Sequence, residues 1–148
     1  MPRAHTEQFG ELDYAEESTL LFPRGLPGFE TCHRFVLLDN PELAPLVHLQ
    51  SLETGGLCFL ALPIRSIDPA YETSLANEDR ATIGLDPGAD LRQATLELTL
   101  LSTTTDGQLS ANLLAPIVIH LATRKAVQAV RLDSRYSHQH ELGEVRPC

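Results

Sequence analysis

Apolar and polar positions alternate most regularly between Thr95 and Leu100, with Leu96, Leu98 and Leu100 on one side of an extended chain and Thr95, Glu97 and Thr99 on the other. That period of two predicts a half-buried strand with one wet face. Further on, two runs rich in strand formers, Ile117 to Ala122 and Ala126 to Leu132, flank the polar Thr123, Arg124 and Lys125 and predict a hairpin. Pro116 lacks a donor for a ladder and marks where the first of these strands begins. The polar Asp133, Ser134 and Arg135 should end the second strand and leave Tyr136, Ser137 and His138 as an exposed tail. Leu46 to Leu52 and Leu57 to Leu62 form another predicted hairpin around Glu53, Thr54, Gly55 and Gly56, whose paired glycines can take positive φ.

The earlier segments are shorter. Phe9 and Leu12 stand on either side of Gly10, a spacing that breaks alternation and predicts a bulge or tight bend between two strand pieces. Ser18 to Phe22 reads as a strand. Phe22 to Glu30, FPRGLPGFE, has two Pro and two Gly in nine residues and predicts a compact turn. Arg34 to Leu38 is apolar enough to be a strand buried on both faces, and residues 40–45 form a loop. After Pro63, a short extended piece is expected at Tyr71 to Leu75. Asn77 reads as the cap of a brief helix with Glu78 and Asp79 in its first turn, interrupted by Gly84, Pro87 and Gly88. Asp106 and Gly107 mark a turn.

About eight to ten short strands, one or two short helices and closely spaced turns argue for an all-β fold. A small antiparallel barrel, closed or nearly closed, hides the strand edges best. Residues 1–148 contain no internal repeat, low-complexity tract or long linker, so one domain is expected.

Composition narrows the function. Five Phe, three Tyr and no Trp leave little for sites built on aromatic stacking. Twenty acidic against eleven basic residues give a net charge of -9, which disfavours direct binding of nucleic acid and favours a basic protein partner. The acids cluster: Glu7, Glu11, Asp13, Glu16 and Glu17 face only Arg3, and Asp68, Glu72, Glu78, Asp79, Asp86 and Asp90 face only Arg80 within their segment. From Arg124 onward the sign reverses. No signal peptide or membrane span is apparent, and the odd set Cys32, Cys58 and Cys148 has no CxxC pair, so a reducing cytoplasm is expected.

Candidate chemistry is thin. His138 and His140 form an HxH pair with no evident third ligand, and metal ligation needs more than two. His120, within an apolar strand, reads as a hydrogen-bonded structural histidine. Ser134, Asp133 and His138 can be drawn as a triad, but no nucleophile elbow surrounds any serine and neighbouring strand residues face opposite ways. Cys58, between Leu57 and Phe59, reads as a small buried hydrophobe. No phosphate-binding glycine loop occurs. No catalytic residue, metal or cofactor is therefore assigned.

Several strings do resemble a known family. GELD at 10–13, FPRGLPGFE, RFVLLD, LQSLE at 49–53, DPAYE at 68–72, ANLLAPIVI and LDSRYSHQHEL occur in the order seen in the bacterial flagellar assembly factor FliW. The match is poor between Asn77 and Thr105, where the family tends to be helix followed by strand. The resemblance implies a β-barrel without catalytic activity, cytoplasmic and monomeric when free. It would bind cytosolic flagellin and, alternatively, the RNA-binding translational repressor CsrA. Glu72, Glu78 and Asp79 are the expected acidic contacts for CsrA. Phe29, Asn112, Pro116, Asp133, Ser134 and Tyr136 are the expected contacts for flagellin. The competing readings are a small-molecule or flavin-binding barrel and a hydrolase.

Overall fold

The computed structural model describes residues 2–39, 41–103, 106–130, 136–137 and 139–144, and among these every ladder is antiparallel. The elements are β1 (Arg3–Thr6), β2 (Gly10–Asp13), β3 (Leu20–Leu21), β4 (Arg34–Asp39), β5 (Val47–Ser51), β6 (Cys58–Pro63), α1 (Asn77–Thr82), α2 (Leu91–Ala94), β7 (Thr95–Thr103), β8 (Gln108–Ala111), β9 (Ile117–His120), β10 (Ala126–Gln128) and β11 (His140–Glu144). Nine strands join in one sheet with the path β10-β9-β7-β6-β5-β4-β3, and β8 and β11 branch from β7. β1 and β2 form a separate hairpin. The fold is all-β, with eleven strands among the described residues, where eight to ten were expected, because the tail returns as β11 and pairs with β8.

Alternation decides what lies inside. Leu20, Phe22, Phe35, Leu49, Ala61, Leu98, Ile117, Ile119 and Ala126 turn inward from seven parts of the chain and form the main core. Phe22 and Phe35 are fully buried and meet edge-on with centroids 5.1 Å apart. Burial of each such ring is worth about 1.5–3 kcal/mol. The sheet nearly closes. No ladder joins its two ends, but Leu21 and Lys125 form a single parallel bridge, and the Leu21 N–H donates to the Arg124 carbonyl at 2.9 Å.

Separate covers shield the outer face. The β1–β2 hairpin lays Ala4, Leu12 and Tyr14 over Val36 and Leu38 of β4. The stretch from Leu75 to Ala94 packs over Val118 of β9 and Val127 of β10 through Ile83, Leu85 and Leu91. A third cluster, Ile64, Tyr71, Ala111 and Leu113, fills the corner where β7 passes to β8.

These covers explain where the expectations fail. The Thr95, Glu97 and Thr99 side of β7 is not wet: the three are 7%, 3% and 0% exposed. The period of two is correct, but Thr73 and Leu91 close over Glu97 and Thr95, and the Asn112 carbonyl accepts the Thr99 hydroxyl. Tyr71 to Leu75 forms no ladder, although Tyr71 is wholly buried. Ser18 to Phe22 shortens to the two residues of β3, preceded by a 3-10 turn at Glu16–Ser18. Asn77 lies inside α1 rather than capping it; Ala76 precedes the helix without a side-chain cap. The capped helix is α2, where Asp90 Oδ1 accepts the Arg92 N–H at 2.9 Å.

The glycines at the β5–β6 turn serve a different purpose from the one expected. Neither Gly55 nor Gly56 has positive φ. A Cβ on Gly55 would lie 2.4 Å from the His5 carbonyl oxygen, and the Glu7 N–H donates to the Gly55 carbonyl at 3.1 Å. Close approach of the N-terminal hairpin, not turn geometry, requires glycine there.

Candidate protein-binding surface

The corner around Tyr71 gathers more of the candidate residues than any other place described. Pro69 and the 3-10 turn at Ile64–Ser66 bring the chain back over β7, and the Tyr71 hydroxyl donates to the Leu113 carbonyl at 2.6 Å. The Tyr136 ring stacks on Tyr71 at 4.3 Å, and its hydroxyl accepts the Glu72 N–H at 3.2 Å. Tyr136 is therefore a half-buried prop, not part of an exposed tail. The Leu113 N–H donates to the Ser137 carbonyl and fixes the same segment from the other side.

Asn112 is structural in the first instance. Its Oδ1 accepts the N–H groups of Leu114 and Ala115 at 3.2 and 3.1 Å, an Asx turn that delivers the chain to buried Pro116 and β9. The Pro116 carbonyl accepts the Ala129 N–H. Asp133 and Ser134 lie outside the described residues.

Beside Tyr71 a groove of about 390 Å³ opens between residues 71–73 and 90–92, lined by Arg65, Tyr71, Glu72, Thr73, Asp90, Leu91 and Arg92. Under it sits Glu97, which accepts from Arg65 Nη1 at 3.2 Å, from Thr95 Oγ1 at 3.4 Å and from the Thr73 hydroxyl. Arg65 Nη2 also donates to Thr73 Oγ1 at 3.0 Å, while its Nε is buried with no partner. This ion pair holds the groove wall onto β7, and sequence reasoning missed it. A carboxylate flanked by two threonines on an otherwise apolar strand was the available signal.

Of the acidic candidates, Glu72 and Glu78 are exposed. Asp79 is not presented in the same way. Its side chain is only 15% exposed and pairs with Arg24, which ties α1 to the glycine-proline turn. Much of the N-terminal acid cluster is also partnered, through Arg3–Asp13 at 2.8 Å, His5–Glu11 at 2.8 Å and Arg34–Glu16 at 3.4 Å. The two acidic segments belong to different covers, one over β4 and one over β9 and β10.

Phe29 stands apart from the Tyr71 corner. Gly25 and Gly28 take φ of 65° and 86°, and Leu26 and Phe29 exchange main-chain hydrogen bonds, so Phe29 is turned out. It is 41% exposed, with its ring edge-on to Phe59 at 5.7 Å. Next to it, the N–H groups of Glu30 itself and of Gly28 hold the Glu30 carboxyl below the usual range.

The arrangement offers surfaces rather than chemistry. The barrel interior that a flavin or other small ligand would occupy is filled by the core side chains. Burial pushes the Cys58 thiol up, which disfavours the reactive thiolate. His120 Nδ1 lies 2.9 Å from the Ile83 carbonyl, in keeping with a structural role. Among the described residues, no three His, Cys, Asp or Glu side chains are gathered for a metal; His138 lies outside them. Nor is any helix of the described residues long and apolar enough to cross a membrane.

Comparison with known proteins gives one consistent result. The family model described as FliW protein matches residues 3–142. The flagellar assembly factor FliW of Heliobacterium modesticaldum is 34% identical over 140 residues, covering 95% of this chain and 90% of the relative. That of Bacillus subtilis is 32% identical over 139 residues, covering 94% and 95%. A crystal structure of a flagellar assembly factor FliW superposes with a TM-score of 0.82 at 28% identity, over 95% of this chain and 96% of that one.

Proposed function

Because this chain belongs to the FliW family, we propose that it is a flagellar assembly factor that works by binding other proteins rather than by catalysis. It binds cytosolic flagellin, and when flagellin is exported the freed protein binds the repressor CsrA and draws it from its message. It acts in the cytoplasm, as a monomer when free and as one domain spanning residues 1–148. The likeness to FliW proteins over nearly the whole length carries this reading.

The geometry adds a mechanism for competition. Glu72 and Glu78, exposed on a chain of net charge -9, offer an acidic approach to a basic RNA-binding protein. Asp79 contributes to it by fixing α1 through Arg24. The flagellin contacts are Phe29 and the C-terminal signature of Asn112, Pro116, Asp133, Ser134 and Tyr136. Tyr136 receives the Glu72 N–H, so a partner that shifts Tyr136 also shifts the loop that presents Glu72. Binding of either partner then lowers affinity for the other, as linkage requires.

Reversal of charge tests it. Glu72→Lys with Glu78→Lys should weaken CsrA binding and flatten its salt dependence while leaving flagellin binding within about twofold. Undiminished CsrA affinity would remove this face from the account.

A further inference from the structure

The turn between β9 and β10 carries strain that its geometry does not require. Arg124 has φ of 62° and is the one non-glycine residue with positive φ among the described residues. Left-handed backbone costs a residue with a side chain stability that glycine does not lose. The conformation itself serves the fold. The Arg124 N–H donates to the His120 carbonyl at 2.8 Å, and the Arg124 carbonyl accepts the Leu21 N–H at 2.9 Å, which ties β3 to the turn. Both are main-chain bonds, and glycine would make them without the strain, so the fold accounts for the backbone here but not for the arginine.

The side chain is left for something outside the chain. Arg124 is exposed and Lys125 half-buried, and among the described residues neither makes an ion pair, whereas Arg3, Arg24, Arg34 and Arg65 each hold a carboxylate. Leu121, which opens the turn, and Leu21, bridged to Lys125, are 50% and 39% exposed. The tip therefore presents two cations beside apolar surface on a chain of net charge -9. That net charge keeps anionic membranes and nucleic acid away, so the patch fits an acidic protein segment. Of the two partners proposed above, the RNA-binding repressor brings positive charge and is repelled here. Flagellin is the partner that remains, and β3 runs from this patch into the glycine-proline turn that carries Phe29.

We propose that Arg124 and Lys125 form a cationic edge of the flagellin-binding surface, where their side chains meet an acidic segment of flagellin. The inference rests on the flagellin reading above and adds to it the residues that separate the two partners by charge. The main chain of the turn stays bonded to β3 throughout, and only the side chains reach the partner.

The test is titration calorimetry of wild type, Arg124→Gly and Arg124→Lys with purified flagellin monomer from the same organism, at low and high salt, with Tm recorded for each protein. Arg124→Gly should melt no lower than wild type, since relief of strain offsets the greater freedom of glycine in the unfolded chain. It should nonetheless bind flagellin at least about threefold more weakly at low salt, with the difference shrinking at high salt. Arg124→Lys keeps the charge and should bind within about threefold of wild type. A folded Arg124→Gly that loses less than about threefold at low salt, or an Arg124→Lys as weak as Arg124→Gly, overturns the cationic edge and leaves the flagellin reading standing. Absence of flagellin binding by the wild-type protein overturns both. If Arg124→Gly does not fold, Lys125→Gln, which leaves the turn residue in place, decides by the same threefold criterion.

Discussion

Replacing Glu97 by Ala should be among the most damaging single changes outside the apolar core. The carboxylate side chain is wholly buried, and its partners are the Arg65 guanidinium and the hydroxyls of Thr73 and Thr95. Removing one member of a buried ion pair costs about 3–5 kcal/mol, because the other charge stays behind without compensation. The Arg65 side chain is 26% exposed, so water recovers part of this and about 2–3 kcal/mol remains. For a chain of this size that lowers Tm by about 5–10 °C. Urea unfolding followed by circular dichroism reads the change directly, with the pair Arg65→Met and Glu97→Leu as the control. Apolar replacement of both partners strands no charge, so the double variant should be more stable than the sum of the single losses by about 1 kcal/mol or more. A Glu97→Ala protein within about 0.5 kcal/mol of wild type, or a strictly additive double variant, refutes the reasoning.

Gly55→Ala should cost about 1–3 kcal/mol in unfolding experiments, since its Cβ would meet the His5 carbonyl at 2.4 Å, whereas Gly88→Ala, with open space, should be far milder. Glu53 accepts the N–H groups of Arg34 and His33 at 2.7 and 2.6 Å, and these hold its carboxyl below the usual range. A lowered folded-state pKa contributes stability that is present above the unfolded value of about 4.3 and lost as pH falls through the folded value. The difference between wild type and Glu53→Gln, under about 1 kcal/mol at neutral pH for so exposed a group, should therefore shrink in acid titrations as pH falls through the folded-state value. Tyr136→Phe keeps the ring against Tyr71 but removes the hydroxyl that accepts the Glu72 N–H, so calorimetry should place it near wild type in Tm while its flagellin affinity drops; an equal loss of Tm and binding would make Tyr136 purely structural.

Much of the sheet was legible because alternation, apolar runs and turn residues are local signals. β7 falls where alternation placed it, and β4, the β5–β6 hairpin and the β9–β10 hairpin fall where apolar runs and turn residues placed them. What alternation cannot say is which polar face will be covered. Thr95, Glu97 and Thr99 look solvated in sequence, and they are buried only by contacts from elsewhere in the chain, with Leu91, with Arg65 and Thr73, and with Asn112. The role of Gly55 was hidden for the same reason, since its neighbour His5 is fifty residues away. The tail read as exposed because Tyr136 meets Tyr71 and β11 meets β8 only through tertiary contact. Glu78 and Glu72 remained on the surface as charge clustering suggested, but Asp79 did not, because Arg24 reaches it from the distant glycine-proline turn.

The most direct test of a protein that alternates between two partners is a competition titration. Purified chain would be saturated with CsrA and then given flagellin from the same organism, with both complexes followed by analytical size exclusion. The account predicts that flagellin releases CsrA, and that no particle containing all three accumulates. A stable ternary complex with both affinities unchanged, or failure to bind either protein, would contradict it.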